Sequence, residues 1–157
     1  MLMAAAPAAA QEAAQVVQNG AWGTYAYAQG RSKVCYVLTV PVPGSEKPAN
    51  LRHGDVYFFV SQKPGQNVLY EPQFIAGYPL QDNSKVKVTV GSRSFSMFAR
   101  GNSAWLENLA EGPQLIAAMR SGADMKVEAV SGRGNATNYV FSLMGVTAAL
   151  KSIANCG

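Results

Sequence analysis

Ser84-Lys85-Val86-Lys87-Val88-Thr89-Val90-Gly91-Ser92-Arg93-Ser94-Phe95-Ser96-Met97-Phe98-Ala99 is the stretch whose reading decides the fold. Val86, Val88 and Val90 alternate with Lys85, Lys87 and Thr89, and Phe95 and Met97 alternate with Ser94 and Ser96. A period of two is the signature of strands with one buried face. Gly91-Ser92 stands between the runs, and glycine in the first position of a two-residue loop is the type II′ hairpin signal. If Val90 lies opposite Arg93, then Val88 faces Phe95, Val86 faces Met97 and Lys87 faces Ser96. All the apolar partners then share one side, as a two-residue loop requires.

C-terminal to the hairpin, Pro113 to Ser121 reads as a short helix. Pro113 suits its first turn, Leu115, Ile116 and Met119 share a face, and Gly122 suits a left-handed cap. Met125, Val127 and Ala129 alternate in a further strand, Ser131 to Asn135 turns the chain, and Tyr139, Phe141 and Leu143 return. Thr147 is placed to cap a last helix, in which Val146, Ala149, Leu150 and Ile153 form an apolar stripe. Cys156 follows near that stripe.

On the N-terminal side, Trp22 and Thr24 oppose Tyr25 and Tyr27 in a strand. Val34 to Val40 is apolar on both faces and reads as a central strand covered on both sides. Val56 to Val60 and Val68 to Tyr78 read as further strands, with Pro72 making the second an edge or a bulged strand. The sum is mainly β. It predicts an antiparallel sandwich or barrel-like domain of roughly eight or nine strands with two short helices, the last at the C-terminus.

The 157 residues fit one domain, placed over residues 21–157. Residues 1–20 are Ala- and Gln-rich and read as a signal-peptide remnant and disordered N-terminus. Ala8-Ala9-Ala10 before Gln11 has the small-residue form of a secretory cleavage site, although no Lys or Arg precedes it. No stretch approaches the ~18 apolar residues of a spanning helix.

Charged residues are 14% of the chain and the net charge is +4. The thirteen Lys and Arg are scattered, without the basic run or face that a nucleic-acid binder concentrates. A mildly cationic surface suits peripheral attraction to anionic lipid or polysaccharide.

Cys35 and Cys156 are the two cysteines, and no C-x-x-C occurs. An even count in an exported chain points to a disulfide between them. The alternative is two buried free thiols. The stripe of the last helix carries Cys156 inward, toward the strand that holds Cys35.

Chemistry is sparse. His53 is the only histidine. His53-Gly54-Asp55 sits in a polar loop, so a hydrolase built on His53 stands against a plain solvated turn. The nine acids read as surface or turn positions, with no clustered metal ligands. No phosphate-binding or dinucleotide fingerprint appears, and no cofactor is expected. Tyr78, Trp105 and Arg133 are the candidate binding residues for a protein or glycan. The competing reading is core packing for the two aromatics and a flexible turn for Arg133.

Several segments together carry a family resemblance. They are Trp22-Gly23-x-Tyr25, Val34-Cys35-Tyr36, Tyr57 to Ser61, Gly77-Tyr78-Pro79, Ala104-Trp105 and Ala118-Met119-Arg120-x-Gly122. Ser131-x-Arg133-Gly134, Tyr139-x-Phe141-Ser142-Leu143-x-Gly145 and the terminal Cys156 complete the set. In this order they resemble the invasion-associated locus B family of exported bacterial proteins, over about residues 20–157. The resemblance implies a periplasmic or envelope-associated β-rich protein with an early-to-terminal cysteine pair. It carries no catalytic residues. Some members are linked to host-cell invasion. The expected function is a non-enzymatic binding or interaction module of the bacterial envelope. The alternatives are a His53 hydrolase and a structural or stress-related envelope protein.

Overall fold

The computed structural model describes residues 13–156. The expected cleavage site after Ala10 lies outside them. The described residues form ten strands, β1 (Ala14–Asn19), β2 (Trp22–Gln29), β3 (Ser32–Thr39), β4 (Tyr57–Lys63), β5 (Val68–Ile75), β6 (Lys85–Val90), β7 (Arg93–Arg100), β8 (Ser103–Leu106), β9 (Asp124–Val130) and β10 (Ala136–Ser142). Two helices accompany them, α1 (Gly112–Ser121) and α2 (Val146–Ser152).

All ten strands belong to one antiparallel sheet in the order β1-β2-β3-β4-β5-β8-β7-β6-β9-β10. The sheet curls until β10 meets the loop after β3. Val42 N–H donates to Val140 O at 2.8 Å, and Lys47 and Asn138 exchange backbone hydrogen bonds of 2.9 Å. That loop, rather than a strand ladder, covers the β10 edge, so the sheet stays open as a ladder while enclosing a single core.

The β6–β7 register is the expected one, with Val90 opposite Arg93, Val88 opposite Phe95 and Val86 opposite Met97. Gly91 has φ +59° and Ser92 is not left-handed, the backbone signs of a type II′ turn. The side facing the core buries Trp22, Val37, Phe58, Val60, Phe74, Val86, Val88, Met97, Met125, Val127, Tyr139 and Phe141.

Several elements differ from the sequence expectation. Ala14–Asn19, expected to be disordered, is β1, because the backbone groups of β2 recruit it whatever its side chains. β3 is internal to the sheet, with Cys35, Val37 and Thr39 buried on its inner face and, on the other face, only Val34. Tyr36 on its other face stacks on Tyr25 at 5.3 Å and meets Phe59 at 5.5 Å, so half-exposed aromatics cover that side instead of a second layer. β5 lies inside the sheet, not at its edge, and Pro72 is tolerated where the β8 ladder stops at Gln73. The expected bulge is present beside it, between Ser61 and Lys63 in the β4–β5 register. Gly122 is extended (φ −91°, ψ 164°) rather than left-handed. Its lack of a side chain serves packing, since a Cβ there would lie 2.5 Å from Val90 Cγ1. Gly145, not Thr147, precedes α2, and the Thr147 hydroxyl donates instead to Arg120 O at 3.4 Å.

The α2 stripe docks as expected, with Val146, Ala149, Leu150 and Ile153 buried. Gln62 fixes its end. Gln62 Nε2 donates to Ile153 O at 3.3 Å, and Gln62 Oε1 accepts the Tyr70 N–H at 2.8 Å. Beyond this, Cys156 is disulfide-bonded to Cys35, with 6.0 Å between their Cα atoms.

Candidate functional site

β10 alternates strictly, so Thr137, Tyr139 and Phe141 all point inward. Near the first two, the loop after β3 and the loop after β5 cross. Gly54 (φ +65°) and Gly77 make the crossing, because a Cβ on Gly54 would lie 2.7 Å from Gly77 O. A Cβ on Gly77 would strike His53 O and lie 2.5 Å from Asp55 N. Two bare backbones in contact thus set His53 beside Tyr78.

The side chains then form one hydrogen-bonded chain. His53 Nε2 lies 2.7 Å from Pro48 O, and Nδ1 lies 2.8 Å from Tyr139 Oη. A carbonyl only accepts, so Nε2 carries the proton, and in the neutral ring Nδ1 accepts from the Tyr139 hydroxyl. Tyr139 Oη therefore accepts from Tyr78 Oη, 2.6 Å away, and Tyr78 Oη accepts from Thr137 Oγ1, also 2.6 Å away. Burial holds the Tyr139 phenol well above the ordinary tyrosine range. The proximity of the ionisable Tyr78 hydroxyl pushes the same way.

His53 is 5% exposed, which corrects the expectation of a solvated turn. A polar loop gave no hint of burial, because the partner that buries the ring is 86 residues away.

The chain forms one wall of a cleft of about 550 Å³, also lined by Leu51, Arg52, Pro79, Ser131 and Arg133. The structure thus brings together His53, Tyr78 and Arg133. Trp105 is elsewhere. It packs on Phe98 at 5.9 Å and borders a second groove of about 570 Å³, with Leu69, Leu109 and Tyr70. Neither Tyr78 nor Trp105 is a core residue, and both are half-buried. Arg133 is exposed in the turn between β9 and β10. Sequence reading missed Arg52, Thr137 and Tyr139 as partners of this site. Only the inward alternation of β10 signalled the last two.

A hydrolytic histidine needs a nucleophile on one ring nitrogen. Here the two nitrogens face a backbone carbonyl and a phenol held protonated. No carboxylate lines the cleft. Among the described residues no three His, Cys, Asp or Glu side chains are placed to share a metal ion, and no helix is long and apolar enough to cross a membrane.

The model of the family described as "Invasion associated locus B (IalB) protein" matches residues 22–154. The chain belongs to the invasion-associated locus B family. The matched span runs from Trp22 on β2 to the residue after Ile153, and so includes every strand but β1 together with both helices. The crystal structure of invasion associated protein b from Bartonella henselae is similar to this invasion-associated locus B chain, with a TM-score of 0.61 at 16% identity. It covers 92% of this chain and 95% of that one. At that identity the likeness speaks for the fold. No curated protein matches the chain.

Proposed function

We propose that this member of the family is an exported protein of the bacterial envelope that works as a non-enzymatic binding module, with the cleft beside His53 as its binding site. The observation that carries the reading is the state of that site. Both His53 nitrogens are engaged, the Tyr78 and Tyr139 hydroxyls are bonded to one another, and two arginines stand at the rim. A preformed, mostly apolar cleft with a few fixed polar groups is the usual form of a small-molecule or recognition site. The Cys35–Cys156 bond supports export, since such bonds persist in oxidising compartments. Its partner is an envelope or host molecule, protein or glycan, and membership of the family supports a contribution to host-cell invasion.

The test is a screen of sugars and small fragments against the isotope-labelled protein, with amide shifts mapped onto the structure. Hits that shift Tyr78, Ser131 and Arg133 together are expected. A screen whose hits all lie away from the cleft contradicts the reading. So does turnover of any ester or glycoside that is lost in His53→Ala.

A further inference from the structure

We infer that the cleft takes a small organic anion, with Arg52 and Arg133 binding its carboxylate or phosphate while Leu51 and Pro79 lie against its body; this rests on the binding reading above. The argument begins with unspent charge. Among the described residues the ion pairs are Lys63–Glu71 and Lys85–Glu107, and neither Arg52 nor Arg133 has a carboxylate partner. Of the other four arginines, two lie on rings, Arg93 over Phe95 at 5.7 Å and Arg120 over Tyr70 at 5.8 Å, and the other two, Arg31 and Arg100, do not border this cleft. Arg52 and Arg133 are exposed and border the same cleft.

The polar groups of the cleft agree in sign. Ser131 Oγ accepts the Asn135 N–H at 3.1 Å, which leaves its hydroxyl hydrogen free to donate. The Gly132 N–H is spent on Pro79 O at 2.9 Å, which also occupies that carbonyl. Tyr78 uses its hydroxyl on Tyr139 and Thr137. No Asp or Glu lines the space. Glu46 is near enough to act on Tyr139 but does not border the cleft. A site without a carboxylate, whose free groups are two guanidinium forks, a hydroxyl donor and the Asn135 carboxamide, which can turn its N–H groups inward, is complementary to an anion. Its volume of about 550 Å³ admits more than an inorganic ion, so the anionic group is carried on a larger body.

The experiment is calorimetric titration of the intact, oxidised protein with three size-matched sugars: glucuronate, glucose 6-phosphate and neutral methyl glucoside. Binding of at least one anion and none of the neutral sugar is expected. Comparison of the two anions separates a carboxylate source from a phosphate source. Arg52→Gln and Arg133→Gln should each weaken the anion roughly tenfold, the scale of a charge-assisted contact. Arg93→Gln, at the distant β6–β7 turn, should leave it unchanged. Raising the salt from about 50 to about 300 mM should weaken it further. Methyl glucoside binding as tightly as the anions overturns the inference. Anion affinity indifferent to both arginines does the same, and so does the absence of binding by either anion. The binding reading survives each of these results if neutral fragments still shift the cleft amides, and fails with them if none do.

Discussion

Tyr139 is the residue on which the site turns. Its hydroxyl links His53 Nδ1 to Tyr78 through two hydrogen bonds. Tyr139→Phe should leave both partners short of a bond in a buried place and cost about 1–3 kcal/mol, measured by denaturant unfolding at neutral pH. The pH dependence has a definite sign. The folded phenol titrates above its unfolded value near 10, so its contribution is complete below about pH 10 and is lost as alkali deprotonates the unfolded chain first. Stability should therefore fall more steeply above about pH 10 in the parent than in Tyr139→Phe. Gly77→Ala tests the loop crossing, because its methyl has nowhere to go between His53 O and Asp55 N. It should destabilise the fold by about 1–3 kcal/mol and shift the His53 and Tyr78 resonances. None of this could be read from the loop sequence. Pro48 to Asp55 is polar and glycine-containing, and only a tyrosine far along the chain turns it into a buried corner.

Elements were legible where their determinants are local. The β6–β7 register follows from alternation and one glycine, and the α2 stripe from four apolar positions. β1 and β8 were not legible. Ala14–Asn19 presents exposed side chains almost throughout, so no alternation marks it. Ser103–Leu106 is four residues long and gains its place from the ladders of β5 and β7. The caps at Gly122 and Thr147 were misread for a related reason. Packing against Val90 and a hydrogen bond to Arg120 override local cap preference there. Docking of α2 is the element-scale claim most open to measurement. Leu150 is fully buried, so Leu150→Ala should cost about 2–5 kcal/mol in urea unfolding.

At the scale of the molecule, one bond ties the tail to the sheet. Cys35 and Cys156 are 121 residues apart, and closing so long a loop stabilises the native state by roughly 4–5 kcal/mol in the chain-entropy model. Against a usual total of about 5–15 kcal/mol, reduction should move the unfolding midpoint sharply downward, and Cys35→Ser should mimic reduction. The mainly antiparallel architecture and this pairing were both legible from the sequence, since alternation and cysteine parity are global signals. The curl that lays the loop after β3 on β10 was not, because it depends on backbone hydrogen bonds between segments about 95 residues apart.

The central claim is that the histidine of the cleft is held on both nitrogens, the arrangement on which the proposed binding role rests. Nitrogen-15 spectroscopy of the His53 ring at about pH 8, where a histidine of ordinary pKa is neutral, tests it directly. A single tautomer is predicted, with the proton on Nε2 and an accepting Nδ1 that loses its hydrogen-bond shift in Tyr139→Phe. A ring that averages between tautomers, or one protonated on Nδ1, would contradict the account.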